Sequence, residues 1–281
     1  MPFEVLDTIS IPGDPFKPND DAFGHIDTAA VVLDGATSLG DPLMPGDSDA
    51  AWIAHFGARR LMAHAKDGDA PKDALRHTLA DAEKSFKALR RRAPEAMWEM
   101  PYASMAFAVQ AEGGFDFLWY GDCAGLLHRG PGEVEVLGES FAKKSQESAR
   151  AARLAKERNV SPAAAANRAE FLPALRKARS HLNSGSHWAF SPDERAADHV
   201  ASTHVAAEFG SILLLASDGF LALATDYGRY TAHTLMDKAV AKGLGILADE
   251  LREIEDADAQ GHKYPRFKKS DDATALLLKL T

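Results

Sequence analysis

Apolar residues recur along this chain at spacings that change from segment to segment, and each spacing predicts an element. Short apolar runs predict strands over Phe3–Ile9 and Ala29–Leu33, the second continuous and ending at Asp34-Gly35. A helical period follows. Over Ala50–Lys66 the positions Ile53, Phe56, Gly57 and Leu61 fall near one face. Over Pro71–Arg92 the set Leu75, Thr78, Leu79, Ala82, Phe86 and Leu89 does so more cleanly, and Pro71 suits a helix start. These two helices are expected side by side on a sheet. Four β-type runs come next, Ser104–Gln110, Phe115–Tyr120, Gly125–His128 and Glu133–Leu137, separated by Glu112-Gly113-Gly114, Gly121-Asp122 and Gly130-Pro131-Gly132. Connections this short predict hairpins and an antiparallel sheet.

Between Phe141 and Leu182 the pattern turns to alanine, lysine and arginine with no strand-like run, which predicts two helices in an inserted subdomain bounded at 139–186. Its basic residues, among them Lys143, Arg150, Arg168, Arg176 and Arg179, contrast with the acidic remainder. They read either as a solvated face or as a surface for an acidic or phosphorylated partner. The strand Ser211–Ala216 then leads into Ser217-Asp218-Gly219-Phe220. Helices over about Tyr230–Lys242 and Ile246–Asp258 precede a closing strand, Ala273–Leu280.

Length and composition fit a globular chain of 281 residues, read as a single domain over 1–281 that carries the insertion. With 32 basic against 41 acidic side chains the net charge is −9, which disfavours a nucleic-acid partner. Cys123 is the only cysteine, so an internal disulfide and any multi-cysteine metal site are excluded. Neither a leader-like start nor a bilayer-length apolar run is present, and a cytoplasmic protein without membrane contact is expected.

The informative chemistry is a repeated step: an aspartate closing an apolar strand and followed by glycine or a small residue, at Asp34-Gly35, Asp122-Cys123 and Asp218-Gly219. Asp20-Asp21 lies just before a strand and Asp271-Asp272 at the start of the last one. Each step alone reads as a turn. Together they place carboxylates at strand ends, where crowding of like charges calls for cations. Oxygen-only ligands suit Mg²⁺ or Mn²⁺.

In Asn19-Asp20-Asp21-Ala22, Val31-Val32-Leu33-Asp34-Gly35, Tyr120-Gly121-Asp122, Leu213–Phe220 and Ser270-Asp271-Asp272-Ala273-Thr274, taken in order, the chain resembles the type 2C metal-dependent protein serine/threonine phosphatases, in a bacterial-like form. The resemblance implies an α+β fold, a four-layer αββα sandwich of two antiparallel sheets flanked by helix pairs, with a flap where the helical insertion falls. It implies two Mn²⁺ or Mg²⁺ ions and a third, weaker one. Asp34 would bridge two ions, Gly35 would offer its carbonyl, Asp218 and Asp271 would bind the second, Asp20 and Asp21 would act largely through water, and Asp122 would hold the third. The implied reaction removes phosphate from phosphoserine or phosphothreonine in proteins through a hydroxide bridging the two metals. The competing reading is a phosphatase-fold regulatory module that binds a partner through its flap.

Three positions depart from the family pattern. Many relatives carry glutamate where Asp20 stands. Phe16 occupies the place of a phosphate-gripping arginine, which leaves neighbouring Lys17 as the candidate substitute. Ala36 replaces a histidine that can protonate the leaving group, so water or another group such as His25 takes that role. A haloacid-dehalogenase-type reading of Val31–Thr37 fails because position 36 is not acidic, and no P-loop, Gly-x-Ser-x-Gly elbow or His-Glu-x-x-His pair occurs. His55 and His64 share a helix without ligand spacing and read as packing or surface residues, as does Cys123.

Overall fold

The computed structural model describes residues 1–130, 132–141 and 168–281. Within them, strands β1 (Phe3–Ile11), β10 (Ala273–Leu280), β9 (Ile212–Ala216), β6 (Ala124–Gly130) and β7 (Glu133–Leu137) form one sheet in that order. Strands β2 (Asp21–Ile26), β3 (Ala29–Gly35), β4 (Ala103–Ala111), β5 (Gly114–Tyr120) and β8 (Ala201–Ala206) form the second. Every pairing is antiparallel. The helices are α1 (Asp49–Lys66), α2 (Pro71–Leu89), α3 (Arg168–Arg179), α4 (Asp218–Thr225), α5 (Ala232–Lys242) and α6 (Leu244–Ala257).

The central strands read as unbroken apolar runs because both of their faces are covered. In β3, Val31 and Leu33 pack with Ile53, Leu61, Leu75 and Leu79 of α1 and α2, while Ala30 and Val32 join the layer between the sheets. The same division holds in β9 and β10: Leu214 and Leu277 face α5 and α6, whereas Leu213, Leu215, Leu276 and Leu278 meet the other sheet. This is the four-layer αββα sandwich that the resemblance implied. Burying one such side chain contributes about 1.5–3 kcal/mol, so losing either helix pair would expose a whole layer.

One expectation needs correction. The runs on either side of Gly121-Asp122 do not form a hairpin: β5 pairs with β4 and β8, whereas β6 pairs with β7 and β9 in the other sheet. The chain crosses between sheets there, and Gly121, at φ +68°, turns so tightly that a Cβ would lie 2.2 Å from Ser104 Oγ. The segment after Ser217, for which no element was predicted, is the short helix α4. Of the predicted insertion, α3 is observed; the first expected helix and the basic residues from Lys143 to Arg158 lie outside the described residues.

Candidate metal centre

Antiparallel register brings the candidate aspartates to one rim. Asp21 opens β2 and Asp34 nearly closes β3, and the two are direct partners across the hairpin. On the other sheet β9 ends at Ala216, paired with both Ala124 and Ala275, so Asp122, Asp218 and Asp271 emerge beside one another. Carboxylate oxygens of Asp34, Asp122 and Asp218 lie within 4.8 Å of one another. Asp218 also sits in the first turn of α4, where the helix dipole favours a negative charge.

The glycines of the Asp-Gly steps are explained by close approach. A Cβ on Gly35 would lie 2.5 Å from the Ala50 carbonyl oxygen and 2.6 Å from that of Asp20, and one on Gly219 would lie 2.0 Å from the Asp272 carbonyl oxygen. No larger residue fits at either step without moving backbone.

Hydrogen bonding divides the rim carboxylates. Asp272 accepts from the Gly13 and Asp20 amides, both at 2.7 Å, and so ties the loop between β1 and β2 to the start of β10. Asp122 accepts from the Ser104 hydroxyl at 2.6 Å, and Asp20 from the hydroxyl of Ser48, the residue that also caps α1. Asp21 differs. It is buried, and neither of its carboxylate oxygens has a hydrogen-bond partner; the nearby Ser217 hydroxyl, engaged with Thr274, is the influence that lowers its carboxyl against burial.

Burial, followed by the charges of neighbouring aspartates, pushes the Asp21 and Asp34 carboxyls well above the ordinary carboxylate range. Burial raises Asp20 as well, against the relief given by Ser48. Lys268 is the cation that answers this charge directly, donating to Asp271 Oδ1 and, at 3.2 Å, to Thr37 Oγ1. Its side chain is 40% exposed. Desolvation works against the charge, but Asp271, Asp34 and Asp272 outweigh it, and the lysine is held charged. One ammonium does not satisfy this many carboxylates. The orphaned oxygens of Asp21 and the oxygen-only donor set fit hard divalent cations.

Comparison with known sequences decides the family: a model described as protein phosphatase 2C matches residues 17–250. The chain belongs to the protein phosphatase 2C family. No curated protein sequence matches it. Among solved phosphatase structures, the chain is similar to the Mycobacterium tuberculosis serine/threonine phosphatase PstP/Ppp, at 16% identity and TM-score 0.57, covering 100% of this chain and 99% of that one. It is also similar to the Ser-Thr phosphatase MsPP from Mycobacterium smegmatis in complex with cacodylate, at 16% identity and TM-score 0.58 over 99% of each chain. A third is the catalytic domain of PstP in complex with two manganese ions, at 15% identity and TM-score 0.54, covering 99% of this chain and 98% of that one.

Not every candidate of this phosphatase 2C chain reaches the rim. Lys17 is exposed, pairs with Asp14 at 3.4 Å, and is not among the residues lining the cleft over Asp34. His25 is exposed near the far end of β2, ~13 Å along the strand from Asp21, too distant to protonate a leaving group at the rim. Cys123 is buried, and burial with the nearby Asp34 and Asp122 charges pushes its thiol well up, so it is a packing residue. The cleft instead contains Arg179 from α3 and Lys268, neither of which carries a sequence motif. Ser48, which caps α1, and Ser104, which begins the predicted strand run, were not singled out in the sequence. No described helix is long and apolar enough to cross a membrane.

Proposed function

We propose that this phosphatase is an active metal-dependent phosphomonoesterase that removes phosphate from phosphoserine and phosphothreonine in proteins. The observation that carries the reading is Asp21, buried with both oxygens unpartnered beside the Asp34, Asp122 and Asp218 cluster. Asp34, Asp218 and Asp271 would hold two Mn²⁺ or Mg²⁺ ions with the Gly35 carbonyl, Asp20 and Asp21 would orient their waters, and Asp122 would serve a third, weaker ion. Bound there, the ions would supply an acidified water as nucleophile and offset charge on the transferring phosphoryl group. PstP, which shares the fold, has been observed with two manganese ions.

This chain's own residues supply the rest. Arg179 and Lys268 bring positive charge into a cleft of about 220 Å³ and are better placed than Lys17 to hold phosphate. An adjoining hollow of about 230 Å³, walled by Ala222, Tyr227, Tyr264 and Phe267, shares Asp218, Lys268 and Asp271 with that cleft. It offers apolar surface to residues flanking a phosphorylated side chain, which favours a protein over a small phosphoester.

The regulatory-module reading draws on one observation: the Lys268 ammonium already engages Asp271, a carboxylate the second ion needs. Hydrolysis of a chromogenic aryl phosphate across a Mn²⁺ titration separates the two, with EDTA and Asp218→Asn as controls. Metal-dependent turnover lost in both controls is the expected result. Mn²⁺ binding by calorimetry without turnover would favour the module.

A further inference from the structure

A second cluster lies at the opposite end of α1, about 24 Å along the helix from Ser48. The turn from α1 to α2 passes through Gly68 at φ +88° and folds back so that the Asp69 amide donates to the His64 carbonyl at 3.2 Å. Asp69 Oδ2 thereby stands 3.4 Å from His64 Nδ1 and 2.8 Å from Nδ1 of His77, in the second turn of α2. The three ligand atoms all lie within 4.8 Å of one another. In a tetrahedral zinc site with bonds of about 2.0–2.1 Å, neighbouring ligand atoms are ~3.3 Å apart, and these separations bracket that value.

The surroundings are those of a held ligand. His64 Nε2 lies 3.0 Å from Asp81 Oδ2, and Arg60 Nε donates to the same oxygen at 2.8 Å. Arg60 Nη2 lies 3.3 Å from the same ring nitrogen. With Nε2 turned to Asp81, Nδ1 is the ring nitrogen that faces Asp69 and would meet an ion between them. A carboxylate behind a histidine, fixing its tautomer and ring plane, is the usual support of a metal-bound imidazole. Arg60 neutralises Asp81, which leaves one negative charge, on Asp69, for the ion.

We infer that His64, Asp69 and His77 form a site for a borderline divalent transition ion, Zn²⁺ above all, that clips the end of α1 to the start of α2. Its two-nitrogen, one-oxygen donor set selects against Mg²⁺ and Mn²⁺, which the oxygen-only rim prefers. The fourth position is left to water. The site owes nothing to catalysis, and it stands or falls independently of the phosphatase activity.

The test uses the full chain carrying Asp34→Asn and Asp218→Asn to suppress the rim, stripped with EDTA and titrated with Co²⁺ by visible absorption and with Zn²⁺ by calorimetry. One equivalent of Zn²⁺, intense tetrahedral Co²⁺ bands and a raised thermal midpoint are expected. His77→Ala, at a 53% exposed side chain whose loss leaves the fold intact, should abolish the bands. Asp81→Asn should weaken binding about 10–100-fold with all three ligands in place. In the otherwise unaltered protein, His77→Ala should leave Mn²⁺-dependent turnover unchanged. The inference is overturned if the rim-suppressed protein shows no tetrahedral Co²⁺ bands, or if His77→Ala leaves them unchanged; the cluster is then a histidine–carboxylate ion pair only.

Discussion

Asp21 and Asp49 lie close to the same rim and are almost equally buried, at 1% and 2% exposure, yet they are put to opposite uses. Asp49 opens α1 and reaches back to accept from the amides of Leu43 and Met44 at 2.7 and 2.8 Å, so both oxygens are employed in holding the preceding loop. Asp21 accepts nothing. Burial does not separate a structural carboxylate from a cation-binding one; what distinguishes them is whether the fold has already met its lone pairs. A protein that encloses an unmet carboxylate beside further carboxylates tolerates a destabilised metal-free state, and a cation relieves it.

The largest expected effect that would break this comparison comes from Asp34→Asn. Turnover with Mn²⁺ should fall at least about 1,000-fold, equivalent to ~4 kcal/mol of transition-state stabilisation. The thermal midpoint of the metal-free variant should rise above that of the metal-free parent, because one of the crowded charges is gone. A fall in both would place Asp34 with Asp49 as a structural residue.

Asp49→Ala should do the reverse. Losing two charge-assisted hydrogen bonds and leaving two amides unmet should cost about 2–3 kcal/mol in denaturant unfolding, equally with and without Mn²⁺. The smallest effect expected is a pH dependence. Because Asp21 and Asp34 have carboxyls held above their unfolded values, their favourable contribution in the metal-free protein is present at low pH and lost as pH rises through the folded values. Cations compete with those protons. The rise in thermal midpoint given by saturating Mn²⁺ should therefore grow from about pH 5 to about pH 8, and a flat profile would mean that these carboxyls are already ionised without metal.

What could be read from the sequence follows the same logic of repeated local signals. β3, β9 and β10 announced themselves because burial on both faces leaves an uninterrupted apolar run, and Asp34, Asp122 and Asp218 because a strand end with a small neighbour leaves a visible mark. β8 did not: it is an edge strand with largely exposed side chains, so its apolar content is low. α4, at eight residues, is too short to show a period. Lys268 was missed, and Arg179 was read only as one of a run of basic residues, because their place at the rim depends on loop and helix packing. The approach of His64 to His77 left no mark in the sequence, because the two come from different helices and meet across the turn at Gly68.

Two guanidinium contacts of α3 bear on the rest of the molecule. Arg179 donates to the Thr37 carbonyl at 2.9 Å, and Arg176, stacked 4.1 Å over Trp98, grips the Leu39 carbonyl through two donors. These carbonyls belong to the short segment that leaves β3 just after Asp34. α3 is thus tied to backbone three and five residues beyond Asp34, so a displacement of this helix would be felt as a change of aim at the rim.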